Sequence, residues 1–552
     1  MGKRIFAAVL VALVLSALSA RSAFAVTEIS TAAEFIAIAD DTEGEYKLTA
    51  DIDLTGSGFV SIPEFNGRFD GAGHTIRGVG AKPLIITNRG ELASFTLDGR
   101  TSAGANTTFK SNSRGCLCDF SYGGKFSDIV VAGYSIACNK ATNGYGMGLF
   151  AGIVYTGSEF RRCATDASAK AVKGSDHSDD AAFTGHIVIT NTVGVGVCFV
   201  DCTNNVSIST SGVYGNTNPC SGGFTAYVSA KGSGNIPEIQ FIRCINRGNL
   251  VVINGNRSAG GFIGKGTICD SDSQDRPMLL RFVQCINYGS VTGTVGYAVG
   301  GFVGWTGNLT QVRFESCLNA GDVGGTSASY AGGYIGQIIG ERTSSSILGD
   351  NYLNSVNTGN VSGKIAGGFF GRICAKYSAC RAYANIYNCA NYGTVTGTTE
   401  AGTLFANEGT GGGGTILLDN DWIAAEPVYS NATHTVTMTN LHTNDTDVAA
   451  LNEIATATEG YMPWVLGASG KPELAWYATT CDESAIPVVF CDWSGKVLKK
   501  EFVEKGGDAT PPKVARHDGL TCVGWSAPYN NVQSITICNA VYRAVGLRIS
   551  IR

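Results

Sequence analysis

CINYGSVTGTVGYAVGGFVG, residues 285–304, opens on a cysteine, closes on a glycine run and carries no charged side chain. Three readings compete for it: a glycine cradle for phosphate, a reactive thiol at Cys285, or one rung of a repeating scaffold. The choice separates an enzyme from a surface protein. The rest of the chain decides it, because the stretch recurs. CINRGNLVVINGNRSAGGFIG (244–264), CLNAGDVGGTSASYAGGYIG (317–336), SVNTGNVSGKIAGGFFG (355–371) and CANYGTVTGTTEAGTLFA (389–406) share its grammar. Upstream, CTNNVSISTS (202–211) leads to GGFTA (222–226), while GLFAG (148–152) and AAFTG (181–185) fill the same slot. The asparagines fall at 246, 287, 319, 357 and 391, a step of 32 to 41 residues.

Each unit runs through a short strand ending at cysteine, as in LRFVQC (280–285) and VRFESC (312–317). Next come Asn-x-Gly, a second apolar strand, a variable Gly/Ser/Thr loop and a Gly-Gly-aromatic strand. Apolar residues recur at period two and hold no helical period. Short strands at fixed intervals, with no helices of 10–15 residues between them, predict a coil-by-coil β-solenoid, an all-β parallel β-helix. In such a stack equivalent side chains lie one interstrand spacing, ~4.8 Å, apart. Stacked asparagines then form ladders. Gly248, Gly289, Gly321, Gly359 and Gly393 are expected at bends of positive φ, and the asparagines before them tolerate the left-handed conformation. Phe262, Phe302, Tyr334, Phe369 and Leu404 are expected to stack inside. Cys163, Cys202, Cys244, Cys285, Cys317 and Cys389, with Ser355 in the gap, form a column best read as buried small hydrophobes. Disulfides along it are disfavoured by parallel Cβ vectors, and no Lys, Arg or His stands beside each copy to activate a thiol.

Composition agrees. Of 552 residues 74 are Gly and only 12 Pro, and 15% are charged, well below the ~25% usual for soluble domains. Residues 1–25 read as a secretory signal: Lys3 and Arg4, an apolar run over 5–20, and Ala23-Phe24-Ala25 as the cleavage motif. The run is too short to span a bilayer, and no later segment qualifies. Removing Lys3, Arg4 and Arg21 takes the formal charge from −5 to −8. A mildly acidic chain argues against nucleic acid or anionic lipid as partner.

The ends differ from the repeats. Thr31 and Glu34 form a capping box before TAAEFIAIADD (31–41), a helix whose Phe35, Ile36 and Ile38 cover the first coil. DVAALNEIATATEGY (447–461) reads as a helix leading into PWVLGASGKPELAW (463–476), a final atypical coil. The expected division is signal peptide 1–25, N-terminal capping helix 26–45, β-helix repeats 46–425, final coil and cap or linker 426–483, a β module 484–545 and a tail 546–552.

Two stretches resemble known families. YKLTADIDLTGSGFVSIPEFNGRFDGAGHTIRGV (46–79), with the Gly-x-aromatic-x-Gly copies, resembles the GLUG-repeat proteins, exported and mostly bacterial surface proteins. That likeness covers roughly 29–476 and implies a right-handed parallel β-helix serving as a scaffold. IPVVFCDWSGKVLKKEFVEKGGDATPPKVARHDGLTCVGWSAPYNNVQSITICNAVYRAV (486–545) resembles an internalin-type B repeat, also called the Listeria–Bacteroides repeat. Its landmarks are Asp492-Trp493, Gly495, Gly506-Gly507-Asp508, Pro511-Pro512, Gly524-Trp525 and Ala540-Val541-Tyr542. The resemblance implies a small β-grasp module of secreted surface proteins. Cys522 and Cys538 replace the family's Phe and Val and read as core residues or a bridge.

Catalytic and metal signatures are weak. Gly264-Lys265-Gly266-Thr267 lacks the spacing and following helix of a phosphate loop. The six histidines (His74, His177, His186, His434, His442, His517) form no H-E-x-x-H motif, and no C-x-x-C occurs. His74 lies within FDGAGHTI and reads as structural. Cys116-x-Cys118 has no histidine partner nearby. Two acidic insertions, GSDHSDDA (174–181) and CDSDSQDRP (269–277), read as solvated loops; Asp270, Asp272 and Asp275 suggest a calcium loop, but Asp stands where an EF-hand needs Gly. The expectation is a secreted or cell-surface-associated scaffold for glycan or extracellular protein ligands, with no catalytic, cofactor or metal residues. The alternative, a carbohydrate-active β-helix lyase or hydrolase, requires clustered carboxylates on one groove.

Overall fold

The computed structural model describes Ala25–Ala544 apart from 111–114, 138–145, 172, 175–179, 191–195, 211–219, 232–237, 253–256, 269–277, 294–295, 308–309, 326, 341–349, 376–382, 409–414, 420–421, 424–434, 440–441, 444–447, 459–460, 468–469, 476–484, 493–496, 505, 515, 517–519 and 533–535. Most of the signal peptide, the calcium-loop candidate 269–277, the centre of 174–181, His177, His434, His517 and the tail therefore lie outside the described residues.

The chain is a parallel β-helix. Three long parallel sheets, of 25, 11 and 12 strands among the described residues, form its faces. One rung shows the construction. Met278–Val283 and Ile286–Asn287 lie in the first sheet, Val291–Gly293 and Gly296–Gly300 in the third, and Val303–Thr306 in the second. Each strand pairs in register with its counterparts one coil away: Phe241, Phe282 and Phe314 are aligned, as are Asn246, Asn287 and Asn319.

The interior consists of columns. Phe150, Phe183, Phe224, Phe262, Phe302, Tyr334 and Phe369 stack with centroids 4.2–5.2 Å apart. Leu404 follows, buried, at the end of the column. A second stack, Phe126, Phe160, Phe199, Phe241, Phe282, Phe314 and Tyr352, meets the first edge to face at 4.9–6.3 Å. Offset stacks joined by T-contacts satisfy the ring quadrupoles in both directions. The sequence shows this second column as F-x-x-C, but only the structure makes it half of the core.

The cysteine column is buried and its thiols are free. Cys285 Sγ donates to Phe241 O at 3.2 Å and lies 3.5 Å from Val283 O, so each thiol closes a carbonyl of its own rung or the one before. Burial pushes the Cys163, Cys202, Cys244 and Cys285 thiols well above their ordinary value, which leaves them inert. Cys522 and Cys538 are also unbridged.

Two expectations need correction. The Asn-x-Gly glycines do not adopt positive φ. The left-handed residue is the one before the cysteine: Arg162, Asp201, Arg243, Gln284, Ser316, Asn354 and Asn388, with φ between 46° and 55°. Non-glycine residues are held there by counterparts one coil away. Arg162 pairs with Asp128 at 2.6 Å, Arg243 with Asp201 at 2.7 Å, and Asn388 donates to Asn354 at 2.8 Å. Glycine at 289 answers a different need, since a Cβ there would lie 2.0 Å from the carbonyl oxygen of Gly248. Backbones of successive rungs touch at that corner. The asparagine ladder itself is present: Asn204, Asn246, Asn287, Asn319 and Asn357 each donate Nδ2–H to the next Asn Oδ1 at 2.7–2.8 Å.

The second correction concerns the C-terminal cap. Strands Thr415–Asp419 and Thr435–Thr439 continue the first sheet, so a coil does lie within 426–483, at 435–443 and not at 463–476. The helix forms at Ala449–Ala457, but 463–476 is not a coil. Trp464–Leu466 and Pro472–Leu474 make an antiparallel hairpin that lies along the side of the solenoid. Its Met462, Trp464, Val465 and Leu474 cover Ile286, Leu318, Val356 and Ala390, the residues between Cys (or Ser) and Asn on four rungs. Polar contacts fix it: Trp464 Nε1–H donates to Asn354 Oδ1 at 2.9 Å, and the Met462 N–H to Ser316 Oγ at 2.8 Å. Those outward apolar side chains have no other cover in the repeat, which is why a local β-hairpin pattern is recruited sideways.

At the N-terminus the capping box is formed, with Glu34 N–H donating to Thr31 Oγ1 at 3.2 Å and Thr31 N–H to Glu34 Oε2 at 3.0 Å. Phe35 and Ile38 are buried on the first coils. The C-terminal module is a four-stranded mixed sheet of Ala485–Cys491, Val497–Glu504, Leu520–Trp525 and Thr536–Ala544. Its first and last strands lie side by side and parallel, with antiparallel partners outside them. Val489, Cys491, Val497 and Ile537 join the cluster around the hairpin, which ties the module to the solenoid.

Candidate functional site

The repeat Gly-x-aromatic-x-Gly is followed by one position that never repeats: Ile153, His186, Tyr227, Lys265, Trp305, Gln337, Arg372 and Asn407. In the second sheet these eight residues are in register, each opposite the next. The preceding Gly or Ala has to be small, because the two strands flanking the corner press together. A Cβ on Gly304 would lie 2.5 Å from the Ala259 nitrogen. Strand alternation then turns the following side chain away from the aromatic core. The result is a ribbon, a column of unlike side chains on the side of the second sheet away from the aromatic core, in which Tyr227, Lys265, Trp305 and Arg372 are half-buried while Ile153, His186 and Gln337 are buried.

The ribbon is tightly made. His186 and Tyr227 rings are 4.7 Å apart, and His186 Nε2 lies 2.8 Å from Ser229 Oγ. Lys265 Nζ sits between two rings, 5.5 Å from the Tyr227 centroid and 4.1 Å from that of Trp305. Gln337 is wholly buried, and its Oε1 has no hydrogen-bond partner. The Trp305 indole N–H is likewise buried without an acceptor. Arg372 lies over the Tyr330 ring at 4.8 Å and donates to its hydroxyl at 2.8 Å. Among the described residues neither Lys265 nor Arg372 meets a carboxylate.

The outer face of the first sheet contrasts with this. There Arg68 and Lys125 share Glu91 at 2.8 and 3.3 Å, and Arg281 and Arg313 share Glu315 at 2.7 and 2.8 Å. These charges are spent on one another, between rungs or within one strand.

The sequence-singled residues fall elsewhere. His74 Nδ1 is 3.2 Å from Asp51 Oδ1, a contact that ties the FDGAGHTI turn to the preceding coil. Cys116 and Cys118 are buried, and burial raises both thiols. Among the described residues no group of three His, Cys, Asp or Glu is placed to hold a metal ion. No described helix is long and apolar enough to cross a membrane. Lys265 belongs to the Gly-Lys-Gly-Thr stretch that fails as a phosphate loop; it stands mid-strand in Ile263–Ile268. The repeated motif ends at its last glycine, so repetition alone does not point to the ribbon. The signal was one residue further on, a hypervariable position abutting constant ones.

No protein-family model matches the chain, and no curated protein matches it. Among solved structures the chain is similar to a putative immunoglobulin A1 protease from Bacteroides ovatus, at 14% identity over 55% of this chain and 80% of that one, with a TM-score of 0.33. A likeness that distant bears on neither function nor detailed fold.

Proposed function

We propose that the protein is a secreted or cell-surface-associated binding scaffold, its coils of GLUG type and its C-terminal module of Listeria–Bacteroides-repeat type, that engages glycan or extracellular protein ligands without turning them over. The observation that carries this reading is the ribbon Tyr227–Lys265–Trp305–Gln337–Arg372. It places aromatic, amide and cationic groups, unlike from rung to rung, on a rigid rod whose interior is otherwise uniform. Rigid elements presenting a few polar groups and aromatic anchors are what a recognition surface needs. The export signature at residues 1–25 and the repeats support the address. The test is an array of glycans and extracellular matrix proteins probed with residues 26–552. Binding that is lost in Trp305→Ala, in a variant that keeps its thermal transition, supports the reading. Steady release of reducing ends from a bound polysaccharide would replace it with an enzymatic one.

A further inference from the structure

Resting on the binding-scaffold reading, the geometry points to the class of ligand: we propose that the ribbon takes an acidic oligosaccharide, a glycan whose carboxylate or sulfate groups are met by Lys265 and Arg372. The first argument is charge balance. Several cations elsewhere on the solenoid are neutralised by an adjacent rung, as with Arg68, Arg162, Arg243 and Arg281. Among the described residues Lys265 and Arg372 have no carboxylate partner and lie over aromatic rings, Tyr227 and Trp305 for the lysine and Tyr330 for the arginine. A cation held over ring faces keeps most of its charge for an incoming anion, because a quadrupole offsets it less than a carboxylate does.

The second argument is the unsatisfied polar atoms between them. The Trp305 indole N–H has no acceptor and the Gln337 amide oxygen no donor, and both atoms are closed to solvent. Buried polar groups left unpaired are costly, and a ligand that reached them with an acceptor and a hydroxyl would remove that cost.

The third argument is spacing. Lys265 and Arg372 are three rungs apart, about 14 Å at ~4.8 Å per rung. A monosaccharide cannot reach both, and a linear oligosaccharide lying along the axis can. The flanking row sets the limit. Tyr330, Ile365 and Glu400 are in register, so the rung after Arg372 carries a carboxylate whose Oε2 has no partner. An anionic chain is repelled there, which confines it to the stretch from Tyr227 to Arg372. Single-stranded nucleic acid also combines charge with stacking, but it places a phosphate at every unit against a chain of net charge −8 after signal removal, with two free cations on the ribbon.

The experiment measures binding of residues 26–552 to four probes at 0.05 and about 0.15 M salt: an oligogalacturonate, a sulfated oligosaccharide of equal length, a neutral oligoglucan of equal length and a single-stranded oligonucleotide. The expected result is binding of one or both acidic glycans that weakens with salt and falls about tenfold in Lys265→Gln and in Arg372→Gln. Arg68→Gln, on the neutralised face, should leave it unchanged. Galacturonate and sulfated arms distinguish carboxylate from sulfate as the group recognised. Equal or tighter binding of the neutral glucan, lost in Trp305→Ala, would overturn the acidic-ligand inference and leave the scaffold reading standing. Tighter binding of the oligonucleotide would overturn it in favour of nucleic acid. Acidic-glycan binding indifferent to both cation variants would place the site elsewhere and overturn the assignment. No binding to any glycan or protein on the array would remove both.

Discussion

Two columns run along the same six rungs. One is Asn204, Asn246, Asn287, Asn319, Asn357 and Asn391; the other is Tyr227, Lys265, Trp305, Gln337, Arg372 and Asn407. The first is identical at every rung, and each amide finds its partner in its own counterpart one coil away. The second differs at every rung, and two of its polar atoms, Trp305 Nε1 and Gln337 Oε1, find no partner in the protein. The difference follows from stacking. A column that stabilises a solenoid has to be self-complementary, so the same residue must recur. A column whose partner lies outside the protein is free of that demand and can vary. Uniformity marks what holds the rod together, and variation marks what it presents.

The comparison breaks most visibly if interior columns tolerate change. Phe282 stacks on Phe241 and Phe314 at 5.0 Å each and meets Phe262 and Phe302 edge to face at 5.6 Å. Phe282→Ala should cost about 4 kcal/mol, measured by urea unfolding, since four ring contacts vanish and a rigid stack cannot close the gap. A loss below about 1 kcal/mol would mean that the stacks are loosely packed and that uniformity signifies little.

Asp350 sharpens the comparison, because it is the interior rung that breaks its own column. It stands in line with Val312 and Ala384, wholly buried, accepting from the Val312 N–H at 2.8 Å while its Oδ2 has no partner. Burial raises its carboxyl to about 7. A raised acid keeps its proton when folded and loses it when unfolded at lower pH. The unfolded state therefore binds fewer protons between pH ~4 and ~7, and stability falls as pH rises through that window. Between pH 5 and pH 8 the loss should be about 3 kcal/mol. Asp350→Asn should flatten that dependence and raise the melting temperature at pH 8. An unchanged pH profile in the variant would show that another group carries it.

Smaller, but more specific, is the ladder itself. Asn319 accepts from Asn287 and donates to Gly321 O and Asn357 Oδ1 at 2.7–2.9 Å. Asn319→Ala strands a buried donor above and an acceptor below, and should cost about 2 kcal/mol. Asn319→Gln should not rescue it, because the longer side chain breaks register with its neighbours. Full stability in the glutamine variant would show that any buried amide serves, and that the ladder's identity is not a structural demand.

Much of this was legible because repetition amplifies weak signals. One Asn-x-Gly means little, whereas five at steps of 32 to 41 residues define a rung. The first aromatic stack, the cysteine column, the capping box at Thr31 and the helix near 449 were readable for the same reason or from local rules. What was not readable depends on contacts between coils. Gly289 is required by the carbonyl of Gly248 and not by its own φ, which no linear pattern reveals. The left-handed residue before each cysteine is Arg, Asp, Gln, Ser or Asn, so composition gives no hint of it. The hairpin at 464–474 has ordinary strand chemistry, and its sideways docking depends on an outward stripe formed by four rungs at once. The ribbon was hidden by its virtue, since a search for sameness passes over the one position that changes.

The least expected effect is therefore the most informative about the ribbon. Lys265 is mid-strand and half-buried, and its attractions in the folded chain are the faces of Tyr227 and Trp305. If the ribbon is a recognition surface, Lys265→Gln gives up one partly exposed cation–π arrangement and should cost no more than about 1 kcal/mol. Lys265→Met, which keeps the apolar stem against the rings, should cost less still. Urea unfolding of both variants beside Asn319→Ala supplies the comparison on a single scale. A ribbon variant as damaging as the ladder variant would mean that the cation clamps two rings for the sake of the fold. Near-wild-type stability would mean that the strand holds a charge that folding does not need, and only a partner outside the protein gives that charge a use.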